Sequence, residues 1–282
     1  KNSTISIREK ILLAYTGSIA SFDLLLFDIL NKIEQTLSES WLNNYVINWE
    51  FQSETSNGQN SGDDYQELLN QQRLLVKENN GSMTISLSNQ FLKGSIDNFV
   101  NDPLDVAPIL GQQTGLAEIF EDYEIKRNNK TLVYDPRFVM LLIMNNTELL
   151  FFDENDQTIP IFDLRLLVDS NILEYLIVCL SSTDGSVIKI AQTILYNIAE
   201  SANRESTTYR DKDLVKILIM KIVSSFGPDA NGEIVSAGAF NPIIYYQLSR
   251  FVPIITNPSH FLYEKAYKYL LGMPSLSKGD FP

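Results

Sequence analysis

Residues 171–198 read "NILEYLIVCLSSTDGSVIKIAQTILYNI", two apolar blocks parted by a short polar turn. The second block decides the fold. Its apolar positions are Val187, Ile190, Ala191, Ile194, Leu195 and Ile198, at offsets of 0, 3, 4, 7, 8 and 11. That spacing follows the 3.6-residue turn and puts all six on one helical face. Asp184 stands just ahead, where a carboxylate can accept an unpaired backbone N–H and start the helix. In the first block Ile172, Leu173, Leu176 and Leu180 share one side. Two helices joined by so short a turn are expected to pack as an antiparallel pair.

The texture continues beyond this pair. From Tyr134 onward, apolar blocks alternate with the punctuation "FFDENDQTIP", "SSTDGS", "NRESTTYRDKD", "FGPDANGE" and "TNPS". Further helices are predicted over 214–226, 243–252 and 261–271. The spacing Asp184-x-x-Val187-x-x-x-Ala191-x-x-x-Leu195 fits the second helix of a HEAT-type repeat. Val and Leu fill the core between repeats, and the small Ala lets a partner helix approach. Ile188 stands where such repeats usually carry Arg, so the match is partial. The fold class expected is mainly all-α, a HEAT-like α-solenoid of antiparallel helix pairs with degenerate repeats.

The front of the chain divides by composition. Residues 1–50 are predicted to form a helix pair broken at Thr16-Gly17-Ser18, with Ser21 and Asp23 at the second helix's cap and Leu24, Leu25, Phe27, Ile29, Leu30 and Ile33 on its apolar face. Residues 51–66 are almost wholly polar, small or acidic. They cannot bury enough apolar surface to offset their ordering entropy, so a mobile loop is expected. Residues 67–130 read as irregular, with a short β-hairpin suggested around Asn80-Gly81. Residues 131–282 form the helical-repeat region.

"TLVYDPRFVMLLIMNN", residues 131–146, looks at first like a reactive loop running into a core. Asp135-Pro136 has a simpler reading. Asp suits the N-cap, and Pro suits the first helical position, where its missing N–H costs nothing. Phe138, Val139, Leu141, Leu142 and Met144 are then expected in the core. Tyr134 and Arg137 are left exposed for contacts, with Arg137 able to pair with an acid.

Bulk numbers restrict the chemistry. The 282 residues carry a formal charge of −13, shared between both halves: 11 basic and 19 acidic residues up to Leu141, 11 and 16 after it. Such a chain does not grip phosphate backbones through bulk charge, nor anionic membranes. A single cysteine, Cys179, forbids an intrachain disulfide and suggests a reducing compartment. Asn-x-Ser/Thr matches at Asn2, Asn80, Asn129 and Asn145 are expected by chance in so Asn-rich a chain. The first residue is Lys1, not Met, so a fragment of something longer is expected.

One Cys and one His, His260, cannot build a zinc site. His260, beside a helix start in "NPSHFLYEK", reads as a cap or solvated residue, and Cys179 as a small core hydrophobe. "DENDQTIPIFDL" places Asp153, Asn155 and Gln157 as a calcium loop would. Thr158 then stands where Gly is needed, and Leu164 where a bidentate Glu is needed, so a calcium loop is rejected. Glu121-Asp122 reads as solvated surface. The Lys and Arg residues of "NRESTTYRDKDLVKILIMK" are interleaved with acids: six basic against five acidic side chains from Asp184 to Lys221. That is ordinary helix surface. No catalytic, cofactor or metal residue is expected, no small-molecule ligand, and no cofactor.

Four stretches in this order resemble the nucleolar pre-ribosomal-associated protein family, in its C-terminal region. They are "ILLAYTGSIASFDLLLFDILNKIE" with Tyr15, Asp23, Leu30 and Glu34; "YDPRFVMLLI"; "FDLRLLVDSNILEYLIVCLSSTDGSVIKIAQTILYNI" with Arg165, Ser181, Ser182, Asp184 and Ala191; and "FLYEKAYKYLLGMPSL". Only residues 52–129 lack a matching stretch. Where the family often has Pro after the apolar pair, this chain has Met140-Leu141. The resemblance implies a large non-catalytic α-solenoid scaffold in the nucleolus. It implies work in early large ribosomal subunit biogenesis beside other assembly factors, including a helicase. It implies contact with a pre-ribosomal particle and its rRNA. The acidity suggests that this region touches proteins more than rRNA. Two other readings remain: a HEAT-like adaptor for trafficking or nuclear transport, and a hydrolase built on a carboxylate pair.

Overall fold

The computed structural model describes residues 11, 14, 15, 17–37, 89–100, 133–145, 150–153, 156–204, 212–228, 234–236 and 241–272. The chain divides into two compact units. One is Lys1–Ser82 with Leu104–Asp135, and the other is Met83–Pro103 with Pro136–Pro282. The fold is mainly α-helical, as expected. The loop of 51–66 and the hairpin proposed at Asn80-Gly81 lie outside the described residues.

In the first unit, helix α1 runs Ser21–Leu37. The predicted break before it is present: Gly17 adopts φ 77°, a conformation that costs glycine least. The backbone then forms a short bridge, Ile19 N donating to Val133 O at 2.9 Å and Asp135 N to Gly17 O at 2.8 Å. Asp23 is fully buried in the first turn. It accepts from Ser18 N at 2.9 Å and from Ser18 Oγ. The carboxylate thus reaches back to fix the chain ahead of the helix, much as a capping-box acid does. Leu24, Leu26, Phe27 and Leu30 are buried, and Tyr15 stacks at a tilt against Phe27 with centroids 6.1 Å apart. Ile29, expected inside, is exposed.

The second unit opens with α2, Asn89–Asp97. This helix lies in the stretch expected to be irregular. Its signal is short, Leu92 and Ile96 one turn apart, and tertiary burial of both completes it. Helix α3, Pro136–Asn145, starts at the predicted proline. Its buried face is Phe138, Val139, Met140 and Ile143. Leu141 is half-buried and Met144 exposed, so the inward face is rotated from the expected one.

Next comes a ribbon where only punctuation was expected: β1, Leu150–Asp153, pairs antiparallel with β2, Asp156–Phe162. Phe162 N donates to the buried Ser201 Oγ at 2.9 Å, fastening the ribbon's end to a distant helix. Helix α4, Leu164–Asp169, is capped by Asp163, which accepts from Arg165 N and Leu166 N. Asn171 then takes φ 60°, a left-handed turn that Asn tolerates better than most side chains. It leads into α5, Ile172–Cys179.

All eight residues of α5 are buried. Helix α6, Gly185–Arg204, packs against α5, β2, α3 and the following helix. Val187, Ala191, Ile194, Leu195 and Ile198 are buried as predicted, with Ile190 half-buried. Helix α7, Lys212–Val223, ends before Phe226, which joins a second ribbon, β3 (Phe226–Pro228) with β4 (Ile234–Ser236). The helix expected over 243–252 is two: α8, Pro242–Ser249, and α9, Val252–Ile255. Pro253 explains the division, because it lacks the N–H needed inside a continuous helix but fits a first turn. Helix α10, Tyr263–Gly272, completes the described chain.

Candidate functional site

Polar groups of the second unit meet around Arg250, at the C-terminal end of α8. Its Nη2 lies 2.8 Å from Asp97 Oδ1 on α2, and its Nη1 lies 3.1 Å from Glu174 Oε1 on α5. Nη2 also donates to Tyr246 Oη at 2.9 Å, and the guanidinium carbon sits 5.1 Å from that ring's centroid. One guanidinium therefore ties three helices. Glu174 is 3% exposed. Burial pushes its carboxyl up; the charge and hydrogen bond of Arg250 pull it down, Asp97 pushes up and Lys93 pulls down. The net position is above the ordinary carboxylate range. For Arg250 burial works against the charged form, but bonds to Tyr246 and Asp97 outweigh it and raise the pKa. A perturbed buried acid can mark an active site. Here the acid is closed off by its own cation, and the arrangement holds helices together.

Two smaller clusters are structural as well, one joining helices and one capping a helix. Ser225 Oγ and Tyr245 Oη lie 3.0 Å apart in a buried bond between the end of α7 and α8. Burial pushes the Tyr245 phenol up, and the Ser225 bond pulls it part-way back. Asp184 caps α6 as predicted, accepting from Ser186 N at 2.8 Å, Ser186 Oγ at 2.6 Å and Val187 N at 3.4 Å. Burial opposes its ionisation. The bonds from Ser186 and Val187 and the charge of Arg137 overcome that and hold its carboxyl below the usual value.

His260 sits in the turn before α10. Its Nδ1 accepts from Leu262 N at 3.2 Å, and its ring stacks on Phe261 with centroids 4.8 Å apart. Cys179 is fully buried on α5. Of the rejected calcium loop, Asp153 lies in β1, Gln157 and Thr158 in β2, and Leu164 is buried on α4. Asn155, Glu121 and Asp122 fall outside the described residues. Tyr134, expected outside, is 4% exposed, because the bridge to Ser18 folds the chain over it. Among the described residues no three His, Cys, Asp or Glu side chains gather as metal ligands. The family-pattern residues Tyr15, Asp23, Leu30, Ser181, Ser182 and Ala191 are all buried.

Asp213, Lys216, Ile217, Met220, Lys221 and Ser224 line an open depression of ≈ 610 Å³ along α7. A second surface feature is apolar. Eight large apolar residues are exposed among the described residues, and six of them fall between 243 and 271: Ile243, Tyr246, Phe261, Tyr267, Tyr269 and Leu271. Sequence reasoning missed both the Arg250 node and these exposed residues. Glu174 and Arg250 are 76 positions apart, so no local pattern joins them. The exposed rings of α10 do have a signal, the Tyr/Lys alternation of "YEKAYKY", which falls off the apolar stripe of the helix.

The family model described as nucleolar pre-ribosomal-associated protein 1 matches residues 173–282. Those residues are therefore similar to a nucleolar pre-ribosomal-associated protein region. They contain α6 to α10, Glu174, Arg250 and the six exposed apolar residues between 243 and 271. The whole chain is also similar to nucleolar pre-ribosomal-associated protein 1 of Saccharomyces cerevisiae (strain ATCC 204508 / S288c). The two are 27% identical over 313 aligned residues, which take in 100% of this chain and 17% of the relative. The chain thus spans about 17% of the length of the curated relative it matches. No solved structure matches the chain.

Proposed function

We propose that this chain is part of a non-catalytic helical scaffold acting in early large ribosomal subunit biogenesis. The observation that carries this is the whole-chain likeness to a pre-ribosomal-associated protein. The architecture supports it. The polar clusters around Arg250 and Ser225 are spent on joining helices, and Asp184 is spent on capping one. The α5–α6 pair is one unit of a HEAT-like stack in this reading, and residues 131–282 are the repeat region. The stack presents its outer surface to assembly factors, a helicase among them, within a particle that contains rRNA. The chain acts by holding partners at fixed distances, not by chemistry.

The test is depletion of the full-length protein in cells, with pre-rRNA followed by pulse labelling. Accumulation of early large-subunit precursors is expected, together with co-purification of nucleolar factors on the tagged protein. Normal precursor processing would sink the reading. Recovery of vesicle coats or import cargo in place of nucleolar factors would replace it with the adaptor reading.

A further inference from the structure

We propose that the surface formed by α5 and the Arg250 end of α8 is a docking site for a short amphipathic helix, filled here by the chain's own α2 and yielded to a partner's helix of the same pattern. The second unit takes in Met83–Pro103, while the next stretch, Leu104–Asp135, belongs to the first. Helix α2, Asn89–Asp97, is part of that short excursion. Its main neighbour among the described elements is α5. Leu92 and Ile96 are fully buried, and Phe99 meets the Tyr175 ring edge-on, with centroids 6.4 Å apart and planes at 80°. These positions, at offsets of 0, 4 and 7, share one helical face. Asp97 lies 2.8 Å from Arg250 Nη2, and Lys93 is near enough for its charge to act on Glu174. One turn of α2 thus matches a cation to a carboxylate and a carboxylate to a cation.

The hold is specific but shallow. Nine residues are too few to stay helical alone, and Gly94 in the middle lowers the propensity further. Helix α2 is therefore ordered by what it docks on. Among the described side chains its hold is Leu92, Ile96, the Phe99 edge contact and an ion pair whose partners are 49% and 33% exposed. A pair so open to water adds selectivity more than grip. All eight residues of α5, by contrast, are buried. Segments with few buried contacts open locally while the rest of a unit stays folded. Opening of α2 leaves α5 and Arg250 in place and uncovers a surface of the helix-in-groove kind. Helix α2 itself gives the occupant's pattern: apolar residues at the first, fifth and eighth positions, a base after the first and an acid after the fifth. A partner's segment with that pattern competes with α2 on equal chemical terms. The scaffold reading gives the chain partners; this site adds a place and a pattern for one of them.

The full chain is titrated into a fluorescein-labelled peptide of residues 89–100, and anisotropy is followed. A chain carrying Leu92→Asp with Ile96→Asp, whose own α2 no longer seats, should bind the peptide saturably. The parent chain should bind it about tenfold more weakly or worse, because its tethered α2 competes from within. In the peptide, Leu92→Ala with Ile96→Ala should abolish binding. Asp97→Lys, which meets Arg250 with like charge, should weaken it about threefold. No binding to the variant chain, or equal binding to variant and parent, overturns the proposal. Hydrogen exchange on the parent chain decides the matter if the variant does not fold. Amides of residues 93–98 should exchange about a hundredfold faster than those of α5, through local opening. Exchange of both helices at one rate, with α2 opening only when the unit unfolds, overturns the proposal too. Neither measurement depends on which particle the chain serves, so failure here is separable from failure of the pre-ribosomal reading.

Discussion

Helices α5 and α10 both lie within the second unit, and they meet solvent in opposite ways. All eight residues of α5 are buried, Glu174 and Tyr175 included, whereas of the ten in α10 only Ala266 and Leu270 are. The reason is the number of neighbours. Helix α5 packs against α2, α4, α6, α8 and α9, so every side of it is covered. Helix α10 packs against α7 and α9 and leaves its remaining surface open. A helix enclosed on all sides sets the stability of the unit. One enclosed on a single side is free to carry side chains chosen for contact.

The largest effect should follow from cutting into α5. Leu176 is fully buried there, and Leu176→Ala should cost about 3–4 kcal/mol in urea unfolding, from lost apolar transfer and the cavity left behind. Tyr267→Ala on α10, where the ring is 40% exposed, should stay within about 0.5 kcal/mol. Equal losses at the two positions would abolish the distinction between the helices.

Next in size is the charge node that α5 shares with α8. Arg250→Ala strands the Glu174 carboxylate in a buried setting. A loss of about 2–4 kcal/mol is expected, somewhat below that of a fully buried pair, since the Arg250 side chain is 33% exposed. Glu174→Gln removes the charge instead and should cost under about 1 kcal/mol. The pH dependence follows from the sign of the shift. The folded pKa of Glu174 is raised above its ordinary 4.5, so the native state binds this proton more tightly than the unfolded chain does. Its contribution is most favourable below the ordinary value and declines as pH rises through the raised one. Without Arg250 the raised value moves higher still. The Arg250→Ala deficit should therefore shrink on acidification from neutral pH, and a deficit that grows would refute the pairing.

These two helices also show what the residues declare in advance. The α6 spacing gave five buried positions of six because one face of a long helix repeats often enough to stand out from noise. The cap at Asp184 was legible because capping is local. By contrast, the β1–β2 ribbon hid in "FFDENDQTIPIF", where a polar turn interrupts the alternation of two short strands. Helix α2 hid because two buried residues one turn apart make too short a pattern. The inward face of α3 is not set by its sequence, because every residue from Phe138 to Met144 is apolar and no polar side orients it. Contact between Asp97, Glu174 and Arg250 belongs to tertiary structure alone. The exposed rings of α10 were written in the sequence, but an apolar count treats a tyrosine as core wherever it falls.

A smaller effect is expected at the start of α6. Asp184→Ala should cost about 1 kcal/mol by freeing the N–H groups of Ser186 and Val187. The carboxyl of Asp184 titrates below its ordinary 3.8, so its contribution is present above that value and is lost as pH falls through the lowered one. The variant and the parent chain should accordingly converge in strong acid. A gap that persists there would mean that Asp184 acts through packing and not through its charge.

The smallest effect contrasts one glutamate on each helix. Glu264 on α10 lies 2.7 Å from Lys268, and both side chains are more than two-thirds exposed. The Lys268 hydrogen bond and charge hold its carboxyl below the ordinary range, the reverse of Glu174 on α5. Any stability from it would be present above pH 4.5 and lost below, yet water already solvates both partners and screens the pair. Glu264→Gln should therefore leave the unfolding curve superimposed on the parent's between pH 4 and 8, while Glu174→Gln changes its slope with pH. A clear loss of stability in Glu264→Gln would show that α10 is enclosed in solution after all, and the difference between the two helices would disappear with it.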